Sequence, residues 1–277
     1  MKAVFKMLIS LIALLQLLSC NKSDTKIIAV KTAKKAVDIP KIDSSEVDLT
    51  DKFSFPVDSI LPAKMLQLAT FHHDEVDQNL DEKVWFGLFK NKENYTLTET
   101  KITIKRAYDA IVDENESEHT GWEISTSTKD TCVILIEKLP YLADRNVSSI
   151  KIREYIYPGE DLKFEFKGVE YTLHATGEKK KETADSDWIV VSNYKLYLTT
   201  IVDGKKKTEL LVAKKNFDDH MITILFAGDI DGDDTLDLII DTANHYNVSS
   251  PTLYLSKPAS EEGKIIKPIA VFTTVGC

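Results

Sequence analysis

The chain is poor in the residues that mark fibrous and low-complexity proteins: its 277 residues include only 10 Gly, 8 Pro and 3 Cys. That scarcity excludes a collagen-like repeat, and no heptad pattern or other fixed-spacing repeat indicates a long coiled coil or an array. With 43% hydrophobic residues the chain can bury a core, which excludes a mainly disordered polypeptide and suits one globular domain or two small ones. Basic charge is also in deficit. Lys+Arg number 35 against 44 Asp+Glu, a formal net of -9, so there is no footprint for a nucleic-acid backbone and no nucleic-acid partner is expected. Gly-rich phosphate loops, Gly-x-Ser-x-Gly, His-Glu-x-x-His and Cys-x-x-Cys are all missing, so no common catalytic signature is present.

What is present begins at the N-terminus, where Lys2 and Lys6 flank the apolar run Met7–Leu18, which ends in Ser19 and Cys20. The run is shorter than the roughly 20 residues a membrane-spanning helix needs, and no stop-transfer pattern follows. It reads as a signal peptide over residues 1–19. The ending Leu17-Leu18-Ser19-Cys20 resembles the lipobox of bacterial lipoproteins. That resemblance implies that Cys20 is acylated with palmitate-type chains, becomes the new N-terminus and anchors the chain in the cell envelope, with the outer membrane expected and its face left open. Residues 20–50 then form a polar tether. Within its Asn21–Val37 stretch Lys22, Lys26, Lys31, Lys34 and Lys35 stand against the single acid Asp24, a local charge excess that also suits anionic headgroups.

From residue 51 to 277 the pattern is that of a β-rich domain. Val84–Phe89, Tyr95–Ile104, Trp122–Ser127 and Cys132–Ile136 are rich in β-branched and aromatic residues and predict strands. Leu162–Phe166 and Val169–Leu173 flank Lys167-Gly168, and Trp188–Ile201 and Thr208–Ala213 flank Asp203-Gly204, two hairpin signatures. Pro62–Phe71 predicts a short helix with proline near its first turn. Gly177–Asp187, charged and poor in apolar residues, predicts an exposed loop or a weak boundary between subdomains. The expected fold is mainly β, built of antiparallel hairpins and meanders as a sandwich or a partial propeller, with few short helices.

The chemistry concentrates between the apolar runs Met221–Phe226 and Leu238–Ile240. There Asp229, Asp231, Asp233 and Asp237 occupy positions 1, 3, 5 and 9 of a loop, and Thr235 offers a peptide carbonyl at position 7. This spacing wraps oxygen ligands around Ca²⁺. Four carboxylates so close together, with Asp234 as a fifth, would repel one another in a closed empty loop, and a hard divalent cation removes the conflict. Mg²⁺ suits the site less because it demands octahedral geometry and keeps its water, and Zn²⁺ is disfavoured by the absence of His and Cys. An EF-hand would want Gly at position 6 and Glu at 12, where Asp234 and Ile240 stand.

Asp229, Asp231, Gly232, Asp233, Asp237 and Leu238 instead resemble the Asp-x-Asp-Gly-Asp-x-x-x-Asp-Leu calcium loops of FG-GAP and VCBS-type β proteins. The resemblance covers about fifteen residues in a single copy, and those families often have Gly where Asp234 stands. A strand followed by Asp-x-Asp-Gly also resembles the nucleophile motif of haloacid dehalogenase-type phosphatases. That would make Asp229 the nucleophile and Asp231 the general acid, on a parallel sheet with helical crossovers.

Other clusters are weaker. His72-His73-Asp74-Glu75 reads as an exposed loop more readily than a transition-metal site, because adjacent side chains diverge. Asp241, His245 and Asn247 are candidates for a shell behind the calcium ligands, or are turn residues bonding their own backbone. Once Cys20 is acylated, Cys132 and Cys277 are left as a candidate disulfide. The sequence therefore points to a lipid-anchored envelope protein that binds Ca²⁺ structurally and acts as a binding or structural module for a glycan or envelope-protein partner. The competing expectation is an envelope hydrolase, glycan- or phosphate-ester-directed, whose catalytic carboxylates follow no recognisable motif. The anchor is directly testable: Cys20→Ser should move the protein from the membrane fraction to the soluble one, and a variant that stays membrane-bound after a high-salt wash would assign the attachment to another segment.

Overall fold

In a computed structural model, residues 54–56, 61–73, 75–77, 79–185 and 189–276 are described; Cys20, the tether, Asp74, Trp188 and Cys277 lie outside them. Among the described residues the named strands pair antiparallel throughout, and helix is confined to short turns. One five-stranded sheet runs in the order β1 (Ser54–Phe55), β13 (Lys205–Asn216), β12 (Ile189–Val202), β11 (Val169–Lys181), β10 (Asp161–Phe166). A second runs β2 (Met65–Leu66), β8 (Thr131–Glu137), β4 (Trp85–Asn91), β5 (Asn94–Thr100), β9 (Arg145–Val147). Beside these are a three-stranded sheet, β3 (Thr70–Phe71), β7 (Gly121–Thr126), β6 (Ile102–Ala107), and a short pair, β16 (Val248–Ser249) with β19 (Thr274–Val275).

The four-stranded sheet β14 (Thr223–Gly228), β15 (Asp237–Asp241), β17 (Pro251–Leu255), β18 (Lys267–Val271) is the centre of the molecule. Its alternating side chains feed two different cores. Phe226, Ile239, Leu253 and Leu255 join Trp85, Leu88, Leu97 and Ile134 of the second five-stranded sheet. Ile224, Leu238, Ile240 and Tyr254 join Leu173, Leu196, Leu198 and Val212 of the first. A sheet covered on both faces needs apolar residues at consecutive positions, which is why Leu238-Ile239-Ile240 in β15 and Leu253-Tyr254-Leu255 in β17 do not alternate with polar residues. In β14 a bulge between Ile224 and Phe226 resets the alternation, so that these two side chains reach opposite cores and Leu225 is left 44% exposed. Tyr254 bolts the central sheet to its neighbour, its buried Oη donating to the Leu211 carbonyl at 2.6 Å.

Both expected hairpins form. Phe166 pairs with Val169 and Val202 with Lys205. Both turn residues of each have positive φ (Lys167 48°, Gly168 80°; Asp203 51°, Gly204 73°), the type I′ geometry that matches strand twist. Two expectations differ from the structure. Pro62–Phe71 is not a helix, because Met65–Leu66 pairs with β8 and Thr70–Phe71 with β7. Gly177–Lys181 is not loop but the end of β11, still paired with β12 beyond a bulge at Thr176/Glu178, so the strands on either side of residues 182–188 belong to one sheet.

The double-sided sheet predicts where truncation hurts. Leu238→Ala and Leu253→Ala, each fully buried but facing different cores, should each cost about 2–5 kcal/mol in urea unfolding, whereas Ile201→Ser at a 68% exposed position should stay within about 0.5 kcal/mol.

Candidate metal centre

The acidic loop closes the β14–β15 pair, whose last register partners are Gly228 and Asp237. Backbone demands set its shape. Gly228 lies so close to the neighbouring chain that a Cβ would fall 2.3 Å from the Ser148 carbonyl oxygen. Gly232 has φ 75° and lies directly under the Arg145 guanidinium, which a Cβ would overlap. Asp234 has φ 65°, the left-handed conformation that Asp tolerates better than most residues and that the resembling families often fill with Gly. Ile230 is buried in one core and Leu236 in the other, so the loop is pinned at the seam between them.

Three of the predicted ligands come together. One carboxylate oxygen each of Asp229, Asp231 and Asp237 lies within 4.8 Å of the others, and all three residues are buried. Two oxygens bound to one ion at 2.3–2.6 Å can be no more than about 5 Å apart, so the spacing fits a single coordination shell. Asp233 is only half-buried and stands beside this group, its Oδ1 accepting from Thr235 N at 2.8 Å and lying 3.0 Å from Ser256 Oγ, whose one proton is shared between it and Asp237. Thr235 is half-buried on the same turn.

Much of the hydrogen bonding comes from residues far away in sequence. Asp237 Oδ2 accepts from Ile230 N (2.6 Å) and Asp231 N (3.0 Å), and its Oδ1 from Ser256 N (2.8 Å) and Ser256 Oγ (2.9 Å). Asp229 Oδ1 accepts from Gly232 N (2.7 Å) and Asp233 N (3.1 Å), and its Oδ2 from Asp234 N (3.2 Å) and Lys167 Nζ (2.8 Å). Asp231 differs from both. Its Oδ2 takes Lys257 N at 3.0 Å, but its Oδ1 is buried without any partner. Among the described residues the only other such atom is His220 Nε2, which lines a separate hollow with Tyr155, Tyr157 and Phe217. An unsatisfied buried oxygen costs about 1–3 kcal/mol, more if charged, so this site is incomplete as protein alone.

Electrostatics agrees with the geometry. Burial first, and then the neighbouring Asp233 and Asp229 carboxylates, push the Asp231 carboxyl up to about 7. Burial and Asp231 together push Asp237 well above the ordinary carboxylate range. Tyr141, close enough to feel Asp231 and Asp237, is raised to about 12 by burial and then by their charge. Oxygen-only, anionic and partly desolvated, the donor set fits a hard cation. The three aspartates can thus hold a metal ion.

The remaining candidates lie elsewhere. Asp241 sits at the opposite end of β15, where its Oδ1 accepts from Ala243 N and Ser250 N at 3.0 and 2.9 Å. His245 pairs with Asp218 at 2.9 Å and accepts Asn247 N at 3.4 Å, so these two residues bond within their own turn. His72 is paired with Asp109 at 2.7 Å, while Trp122 Nε1 donates to the carbonyl of His73. Cys132 is a half-buried thiol donating to the Ile134 carbonyl at 3.4 Å; Cys277, and with it the pairing, falls outside the described residues. The phosphatase resemblance implies a parallel sheet, whereas β14 and β15 are antiparallel neighbours. Sequence reading missed Lys167, Ser256 and Lys257; only the turn at Lys167-Gly168 left a signal, and it spoke of backbone rather than of the site. Compared with known proteins, the chain matches no family model, no curated protein and no solved structure.

The raised carboxyls give the ion-free protein a definite pH dependence. A carboxyl that holds its proton more tightly folded than unfolded favours folding at low pH, and that favour is lost as pH rises from the unfolded value near 3.9 through the folded value. For Asp231 the folded value is about 7. In chelator, the urea midpoint should therefore decline between about pH 4.5 and 7, and Asp231→Asn should flatten the decline. Comparing the variant with wild type also separates Asp231 from Glu209, whose carboxyl burial likewise raises. Equal slopes in the two proteins would show that Asp231 is ionised throughout.

Proposed function

We propose that this chain is a lipid-anchored protein of the bacterial outer membrane whose acidic loop binds Ca²⁺, and that it serves as a binding or structural module for a glycan or protein of the envelope. The observation that carries the reading is Asp231 Oδ1, an acceptor with no partner inside a cage of carboxylates. Asp233 and the Thr235 carbonyl stand on the adjoining turn to complete an oxygen shell, and Ca²⁺ accepts 6–8 such ligands in irregular geometry. No His or Cys belongs to the cluster, which disfavours Zn²⁺.

The ion's task in this reading is mechanical. The loop joins two strands of the sheet that both cores share, and its anchors Ile230 and Leu236 belong to different cores. Neutralising the cage fixes the end of that sheet and the surface above it. A catalytic role for Asp229 as a phosphatase-type nucleophile is not favoured, since its loop joins antiparallel neighbours and not a parallel sheet with helical crossovers.

Calcium should raise the melting temperature. A site with a dissociation constant near 0.1 mM in about 1 mM calcium would contribute RT ln 11, about 1.4 kcal/mol. Asp231→Asn and Asp237→Asn should abolish the calcium-dependent rise, while Asp234→Asn, at a side chain 85% exposed, should retain it. Equal melting of the wild type in calcium and in chelator would refute the ion site.

A further inference from the structure

We propose that Lys167 is a tethered cation that neutralises the metal site of the ion-free protein and is displaced when the divalent ion binds, coupling ion occupancy to the tip of the β10–β11 hairpin. The inference rests on the ion-site reading above and concerns how that site is regulated.

It follows from counting acceptors. A carboxylate has about four lone-pair positions. Asp229 has all of them engaged, by the peptide N–H groups of Gly232, Asp233 and Asp234 and by the Lys167 ammonium. For Asp229 to ligate an ion, one donor must leave. Three are peptide groups fixed by the turns of the loop itself. The fourth sits at the end of a flexible stem from another hairpin, and it alone carries the charge that the ion would replace. Asp237 is engaged by three peptide N–H groups and by the Ser256 hydroxyl, whose single proton lies within reach of Asp233 Oδ1 as well and can turn to it while Ser256 N stays.

Lys167 is built to move in this manner. Its backbone is held in a type I′ turn, with φ 48° followed by Gly168 at 80°, so displacement requires only side-chain rotation. The ammonium bridges buried Asp229 at 2.8 Å and exposed Asp234 at 2.5 Å, and 27% of the side chain faces solvent, so it stands at the mouth of the cage with an outward path. The Phe166 ring centroid lies 5.7 Å from Nζ in this same position, near the outer limit of cation–π attraction, so the ring adds little to the hold of the two carboxylates on the ammonium. An ammonium and a divalent ion on the same carboxylate would repel each other, so exchange is favoured over sharing. A resident single charge also sets selectivity: Na⁺ or K⁺ gains nothing by replacing it, whereas a doubly charged ion does.

The test compares wild type with Lys167→Gln, which keeps the length and loses the charge, and Lys167→Arg, which keeps the charge. Calcium affinity is measured by calorimetry, and melting is followed in chelator and in saturating calcium. Lys167→Gln should bind calcium about tenfold tighter, a change of about 1.4 kcal/mol. It should also melt lower than wild type in chelator and match it in calcium, while Lys167→Arg stays near wild type in all three. If Lys167→Gln binds no tighter, or melts lower by the same amount in both conditions, Lys167 is a fixed support and the displacement is wrong although the ion site stands. If neither wild type nor Lys167→Gln responds to calcium, the ion site itself is overturned and the displacement with it.

Discussion

Two carboxylates that water cannot reach govern this structure. Asp231 and Asp237 are fully buried because the loop carrying them is clamped from both sides, Ile230 in one core and Leu236 in the other, at the end of a sheet that has no solvent face. Taking an ionised carboxylate out of water is very costly unless the charge is paired, hydrogen-bonded, neutralised by a proton or bound to a metal. The surroundings show these answers in use at once. Peptide groups from residues 230–234 turn inward, Ser256 and Lys257 close over the cluster from the end of β17, and Lys167 brings a positive charge. What they leave unmet shows in the upward shift of both carboxyls, which burial drives.

The parts of the fold legible in the sequence are those set by neighbouring residues. Asp203-Gly204 and Lys167-Gly168 specify their turns through their own φ preferences, so the hairpins around them follow without knowledge of the rest. Pro62–Phe71 is different. Pro62 suits the first turn of a helix, yet Met65–Leu66 and Thr70–Phe71 add edges to two separate sheets, and that tertiary pairing outweighs a local preference of a few tenths of a kcal/mol per residue. Glu178–Lys181 has the charge of a loop but continues β11, because its partner β12 supplies a ladder for it. Charged strands on an exposed sheet end have no apolar period to read.

At the site, the clustering of Asp229, Asp231 and Asp237 was legible because all three lie within nine residues. Nearness in sequence misled beyond the loop. Asp241 is four residues from Asp237, but along a strand rising about 3.3 Å per residue that is about 13 Å, the far end of β15. The true neighbours are distant in sequence: Lys167 is 62 residues from Asp229, and Ser256 is 19 from Asp237. No periodicity joins such positions. They meet because β17 pairs with β15, and because the β10–β11 hairpin belongs to the sheet packed on the central one.

That convergence explains why a site at a sheet edge can matter to the whole domain. Arg145, from β9 in the second five-stranded sheet, covers Gly232, while Lys167, from the first, grips Asp229 and Asp234. The two outer sheets therefore each place a cation on the same short loop of the sheet between them. Repulsion among the loop's carboxylates is therefore borne by anchors in both cores, Ile230 in one and Leu236 in the other. Charge balance in nine residues is thus tied to the packing of the two cores.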